Sequence, residues 1–278
     1  MARSRLLRTW TTTVVVALGV IVGGLIGATL AWALFSSTSA AETNSFTADA
    51  LPRGNTPTAT VSPANSPTVT ITFAQASTTT GGVAIPAADY TLKRYPATGG
   101  STVVISNSCV LGGTTLTCTD APGDGTWQYT DTPIYGTNWV GTESTKSGSV
   151  LVDATGPTVS APIVGSPHSY VNGITYLNNG VGLTDSASDT GSGVASVTYY
   201  WCLATVSSCT SANGTQIGSP VTGSPYPVTW SSQPSDAAYK LVAVGLDNVG
   251  NTTTSSSTLV TVDNTPPVVS TPSVNGIS

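Results

Sequence analysis

The 278-residue chain holds one His, one Met and four Cys, so the side chains able to do acid–base, nucleophilic or soft-metal chemistry can be weighed singly. His168 lies in Gly165-Ser166-Pro167-His168-Ser169, which reads as a turn-like solvated loop. A Ser-His-Asp triad would want its nucleophile on a sharp elbow, and no G-x-S-x-G motif occurs. Asp185 and Asp189 could serve as a glycosidase carboxylate pair. Both, however, sit in an Asp/Ser/Gly loop where Asp serves the turn, without a second aromatic-lined carboxylate cluster. Trp127, Trp139, Trp201 and Trp230 offer rings for sugar stacking. A two-layered β fold needs such volume between its sheets, so core packing is the expected role for most of them.

Oxygen donors are the more informative set. Asp153 and Asp263 fall in proline-bearing linkers, and Asp185, Asp189, Asp247, Asn248 and Asn251 in loops. Calcium prefers such hard ligands, and a linker site would stiffen tandem modules. Against this, no D-x-D-x-D-G loop is present and Asx turns account for the same residues. The expectation is therefore no cofactor, with Asp153, Asp247 and Asp263 as the calcium candidates.

The cysteines form two local pairs, Cys109/Cys118 and Cys202/Cys209. A hairpin turning at Gly112-Gly113-Thr114-Thr115 sets Cys109 directly opposite Cys118, at a spacing a disulfide can bridge. Zinc is disfavoured, because paired C-x2-C steps are missing and only His168 could assist. Both pairs are expected to be disulfides, which places the chain in an oxidising compartment.

Charged residues make up 8% of the chain, against about 25% in an ordinary soluble domain. Arg3, Arg5 and Arg8 precede the first apolar run, and all 13 acidic residues follow position 41. The exported part is thus acidic, which excludes a phosphate-backbone binder and with it nucleic acid as a partner. From Thr9 to Ala41 there is no charge, and Val14 to Phe35 is almost wholly apolar. This hydrophobic helix exceeds a usual signal core and suffices to span a bilayer, its basic flank inside and the remainder outside. Small-x-small sites follow at Ala31-Trp32-Ala33 and Ser39-Ala40-Ala41. Residues 1–41 fit both a leader cut by signal peptidase and a retained single-pass anchor through residues 9–35; a linker over 42–54 follows.

Beyond residue 55 no window carries a helical period. Short β-branched or aromatic runs alternate with Thr or Ser, as at Val69, Ile71 and Phe73, Val197, Tyr199 and Trp201, and Tyr239, Leu241 and Ala243. Such alternation buries one face of a strand and wets the other, so the expected class is all-β. Asp153, Thr155, Pro157, Val159, Ser160, Pro162 and Val164 recur 110 residues later at Asp263, Thr265, Pro267, Val269, Ser270, Pro272 and Val274. That period suits one two-sheet sandwich. The spacing gives sandwiches over 55–152 and 153–262, with 263–278 opening a further, truncated repeat; the natural chain is expected to continue.

Several motifs resemble known families. Gly27-Ala28-Thr29-Leu30-Ala31-Trp32-Ala33, Phe35, Asn44-Ser45-Phe46-Thr47-Ala48 and Leu51 resemble the SipW-dependent signal peptides of camelysin-like biofilm-fibre proteins, with Asp49 where that family prefers Gly. The resemblance implies export to the surface or matrix. Pro67 to Phe73, Tyr90 to Arg94 and Gly125 to Tyr129 resemble strands B, C and F of a fibronectin type III domain. Gly191-Ser192-Gly193-Val194 and Asp247-Asn248-Val249-Gly250-Asn251 resemble bacterial Ig-like repeats. In the same unit Val194 to Leu203 matches a central strand with a buried Trp, here Trp201. Asp236 to Leu241 matches the D-x-A-x-Y-x-C start of strand F, with Leu241 replacing Cys and Tyr239 expected to bond back to the chain.

The sequence therefore points to tandem Ig-like and fibronectin type III-like β-sandwiches after an N-terminal hydrophobic helix. The expected role is a non-enzymatic, secreted or cell-surface stalk, adhesin or biofilm-matrix component. Its partners would be envelope or matrix components, polysaccharide or other surface proteins. The alternative is the accessory or carbohydrate-binding region of a longer secreted hydrolase.

Overall fold

A computed structural model describes Phe35–Ser37 and residues 46–270 apart from Asn107, Thr137, Pro167 and Asn179. Among these residues there are strands and turns but no α-helix, and no helix long and apolar enough to cross a membrane. The expected hydrophobic helix and cleavage sites fall mostly on residues 1–34 and 38–45, outside the described residues. Phe35–Ser37 pairs antiparallel with Phe46–Ala48.

The first sandwich is assembled from the alternating runs. One sheet orders Thr58–Val61, Val69–Ala74, Thr115–Asp120 and Val110–Gly112. The other places Tyr90–Pro96 between Val103–Ile105 and the long Gly125–Tyr135 strand, which also pairs Trp139–Val140 and Val150–Val152. Val69, Ile71, Phe73 and Leu116 from one sheet meet Tyr90, Leu92, Tyr129 and Val152 from the other in a single buried cluster. The Phe73 and Tyr90 rings touch edge to face across the layers at 5.2 Å. Such contact adds about 0.5–1.5 kcal/mol beyond the area it buries.

Residues 49–54, read from sequence as linker, are fastened to this sandwich. Asp49 is buried and its carboxylate accepts the N–H groups of Ala50, Thr80 and Gly81 at 2.7–2.9 Å. Leu51 packs on the core, and Gly54 N donates to Thr142 O. The reason is local: a short Asp can satisfy several turn amides at once, a role that the composition of the stretch does not advertise.

The second sandwich pairs a large sheet with a small one. Ser169–Val171, Ile174–Leu177, Thr258–Val262, Ala237–Asp247, Val194–Leu203 and Thr215–Val221 follow one another, with Thr252–Thr254 on the far end of Ala237–Asp247. Ile174–Leu177 runs parallel to Thr258–Val262. Facing them are Ile163–Val164, Val181–Thr184 and Val228–Trp230. Val197, Tyr199, Leu241, Ala243 and Val260 point into the space between the layers, where Val181, Leu183 and Trp230 meet them. Trp201 is half-buried rather than buried, because it caps the end of the cluster. It lies against Trp230 at 6.4 Å and edge-on to Tyr239 at 5.1 Å, while Trp230 takes the interior position.

Tyr239 closes the strand entry as its spacing suggests: its hydroxyl donates to Ser235 O at 2.7 Å, four residues upstream. This tyrosine corner is a hallmark of Ig-like sandwiches. Both disulfides form. The hairpin register opposes Val110 to Thr117 and Leu111 to Leu116, so Cys109 and Cys118 meet one step further out with Cα atoms 4.1 Å apart. Cys202–Cys209 closes a loop against Val242 on the outer side of the large sheet, where Lys240 Nζ donates to Val206 O.

Two expectations follow. Tyr239→Phe leaves the ring in place but strips Ser235 O of its donor, and should cost about 1–2 kcal/mol in urea unfolding. Replacing Cys109 and Cys118 together by Ser should cost about 2–3 kcal/mol in the same assay, the loop-closure value for so short a ring.

Candidate functional site

The polar groups that do not serve the sheets gather where the first sandwich passes the chain to the second. Val152 is the last residue of the Val150–Val152 strand, and Asp153 follows it directly. Asp124, just before the Gly125–Tyr135 strand, accepts from Ala154 N at 2.9 Å and from Thr155 Oγ1. The exit of the first sandwich is thus clasped by its own carboxylate. The exit of the second is clasped the same way, with Asp236 accepting from Asn264 N and Thr265 Oγ1.

Two loops converge on Asp153. The Asp247–Asn251 hairpin turn is an Asx turn in which Asp247 Oδ1 accepts the N–H groups of Val249, Gly250 and Asn251 at 2.6–2.9 Å. Asn251 Nδ2 then bridges, donating to Asp247 Oδ2 at 2.7 Å and to Asp153 O at 3.0 Å. The 189–193 loop supplies Asp189, whose Oδ2 accepts Gly193 N at 2.6 Å, and Ser192 N, which donates to Asp153 Oδ2 at 2.6 Å. Asn248 Nδ2 ties the two loops together through Ser192 O and Gly193 O. Gly191 lies so close that a Cβ there would sit 2.4–2.5 Å from the Asp153 carboxyl group. Only Gly lets the backbone lie on that carboxylate.

As a result one carboxylate oxygen from each of Asp153, Asp189 and Asp247 lies within 4.8 Å of the other two. Burial works to raise the pKa of Asp247, but the Asn251 amide and the turn N–H groups outweigh it and hold the group below the usual carboxylate range. Of the sequence candidates, the structure brings Asp153 and Asp247 together and leaves Asp263 apart, exposed, with its carboxylate on Thr265 N. Asp189 joins the set instead. Its membership depends on how the 189–193 loop folds back over the linker, and the repeat spacing carries no mark of that.

The other chemistry-bearing residues are dispersed. His168 is exposed, its Nδ1 2.9 Å from Gly165 O. Asp185 is buried away from Asp189, bonded to Ser160 Oγ and Ser186 N; burial raises its pKa despite those bonds. Trp139 and Trp230 are core residues. Trp127 is half-buried, donating to Gly123 O and lying under the Arg94 guanidinium at 4.8 Å, and the four rings form no common platform. All four Cys are spent in disulfides.

Asp131 went unnoticed in the sequence. It lies fully buried on the Gly125–Tyr135 strand, where Ser144 Oγ accepts its own N–H and donates onward to Thr145 O. Burial pushes its carboxyl, neither oxygen of which has a hydrogen-bond partner, up to about 7.

No protein-family model matches the chain, and no curated protein matches it. Among solved structures, the chain is similar to the fibronectin(III)-like modules of Clostridium thermocellum CbhA, at 17% identity and TM-score 0.30, over 77% of this chain and 88% of that one. It is similar to the FN1–FN3 domains of chicken CNTN1 at 12% identity and TM-score 0.34, over 78% and 70%. Domains A168–A170 of titin match at 15% and 0.35, over 76% and 62%. Strand order, register and the Tyr239 corner define the sandwich fold independently of these likenesses.

Because the folded state holds the Asp131 proton up to about pH 7 while the unfolded chain releases it near 3.8, the contribution of Asp131 to stability should fall as pH rises between those values and level off above. Asp131→Asn should then be close to neutral at pH 4. At pH 8 it should stabilise by about 1–3 kcal/mol, read from urea midpoints.

Proposed function

We propose that the chain is a non-enzymatic, exported structural or adhesive module: a stalk, adhesin or matrix component that presents sandwiches outside the cell. The observation that carries this reading is the fastening of one sandwich to the next. Asp124, Asn251 and Ser192 all bind the 153–155 segment, so the connection is bonded rather than slack. A slack connection would suit independent catalytic or binding units, whereas a bonded one suits transmission of position or force. Two short-range disulfides support the same setting, since they persist in oxidising compartments. The Arg-flanked apolar leader supports export, and the acidic, charge-poor exterior suits a partner such as envelope polysaccharide or another surface protein.

The test is deletion of the gene in its host, followed by adhesion or biofilm assays and protease shaving of intact cells. Loss of attachment, with the protein shaved from the outside, is expected. Turnover of a polysaccharide, peptide or ester substrate by the purified chain, or an exclusively cytoplasmic location, would overturn the proposal; a catalytic constellation downstream in the full reading frame would instead favour the accessory region of a hydrolase.

A further inference from the structure

We infer that Asp153, Asp189 and Asp247 form a calcium site that locks the connection between the two sandwiches. Three carboxylates converge within 4.8 Å, and Asp153 and Asp247 are 1% and 2% exposed. Among the described residues, the ion pairs are Lys93–Glu143 and Arg94–Asp120, so the cluster is not neutralised by a basic side chain. Concentrated negative charge withdrawn from water calls for a cation.

An independent observation points the same way. Asp153 Oδ1 is buried with no hydrogen-bond partner, and so is the hydroxyl of Ser192, whose N–H holds the other oxygen of the same carboxylate. A buried unpaired carboxylate oxygen is costly unless something binds it. The neighbouring bonds explain why a lone pair is left over. Asp247 Oδ1 is consumed by three turn amides, but Oδ2 accepts only Asn251 Nδ2. Asp189 gives one oxygen to Gly193 N. A carboxylate has about four acceptor sites, so all three residues keep capacity for a metal.

The donor chemistry selects the ion. The ligands are oxygens on irregular loop backbone, with neither His nor thiolate in the set, which disfavours zinc. Magnesium demands a near-octahedral shell and gives up water reluctantly, whereas calcium accepts a loose shell of 6–8 oxygens that water can complete. Asp153 belongs to the connecting segment, and Asp189 and Asp247 to the second sandwich. Bound calcium would therefore tie the segment leaving one module to the loops of the next, whichever role the protein plays.

The test uses the purified full chain, stripped with EDTA, in calorimetric titration and thermal melting with CaCl2, and with MgCl2 in parallel. Calcium should bind with one-site stoichiometry at a Kd of about 10⁻⁶–10⁻³ M and raise the melting midpoint by about 3–8 °C at saturation. Asp189→Asn, at the half-exposed ligand, should fold and weaken calcium binding at least about tenfold. Its melting midpoint in EDTA should equal or exceed that of the unaltered chain, because one repelling charge is gone. Asp263→Asn, in the repeat counterpart of Asp153 but outside the cluster, should respond to calcium as the unaltered chain does. Absence of heat and of a midpoint shift up to about 10 mM calcium would overturn the inference. So would an unchanged response in Asp189→Asn, or equal stabilisation by magnesium.

Discussion

Backbone N–H groups that fall outside a sheet ladder must find acceptors, and where carbonyls and hydroxyls do not serve, carboxylates of aspartate do. Asp49, Asp124, Asp185, Asp189, Asp236 and Asp247 each accept from main-chain amides at a strand end or turn. The charged residues are few, and most acids answer to backbone rather than to a base. This division of labour lets the faces of the sandwiches be covered with Ser and Thr. Order at the ends of the strands then depends on short, directional bonds instead of long flexible ion pairs, which lose side-chain entropy and give little back at a surface.

The apolar interior follows a complementary economy. Each sandwich has one contiguous cluster of alternating inward residues, with Tyr129 in the first and Tyr199 and Tyr239 in the second among its buried members. The Cys109–Cys118 disulfide, at the mouth of a hairpin, contributes the fully buried Cys118 to the first cluster, whereas Cys202–Cys209 lies on the outer side of a sheet. Both close local loops, and in the second sandwich the inter-sheet cluster holds no cysteine, with Leu241 packed where the resemblance would place one.

Much of this could be read from residue order, and the reasons for success and failure are distinct. Strand alternation is a local property, so Val194–Leu203 and the Tyr239 corner emerge from spacing. The opposed Cys109 and Cys118 are local too, because a Gly-Gly turn fixes a hairpin register. What resisted was whatever depended on three-dimensional convergence. Asp189 is 36 residues from Asp153 and 58 from Asp247, and only the folded loops bring them together. Asp131 looked like any polar residue in an alternating strand until its surroundings closed over it. Trp201, expected in the interior from its strand, is half-buried beside Trp230, which is the ring that sits inside.

The paired clasps, Asp124 on Ala154 and Thr155 and Asp236 on Asn264 and Thr265, have a consequence for any array built this way. One anchor of the departing polypeptide is thus a bond to the module it leaves. A duplication that copies the module therefore copies this anchor as well. Successive copies would share it, while the loops of each following module, like Ser192 and Asn251 here, would fix the rest of the heading.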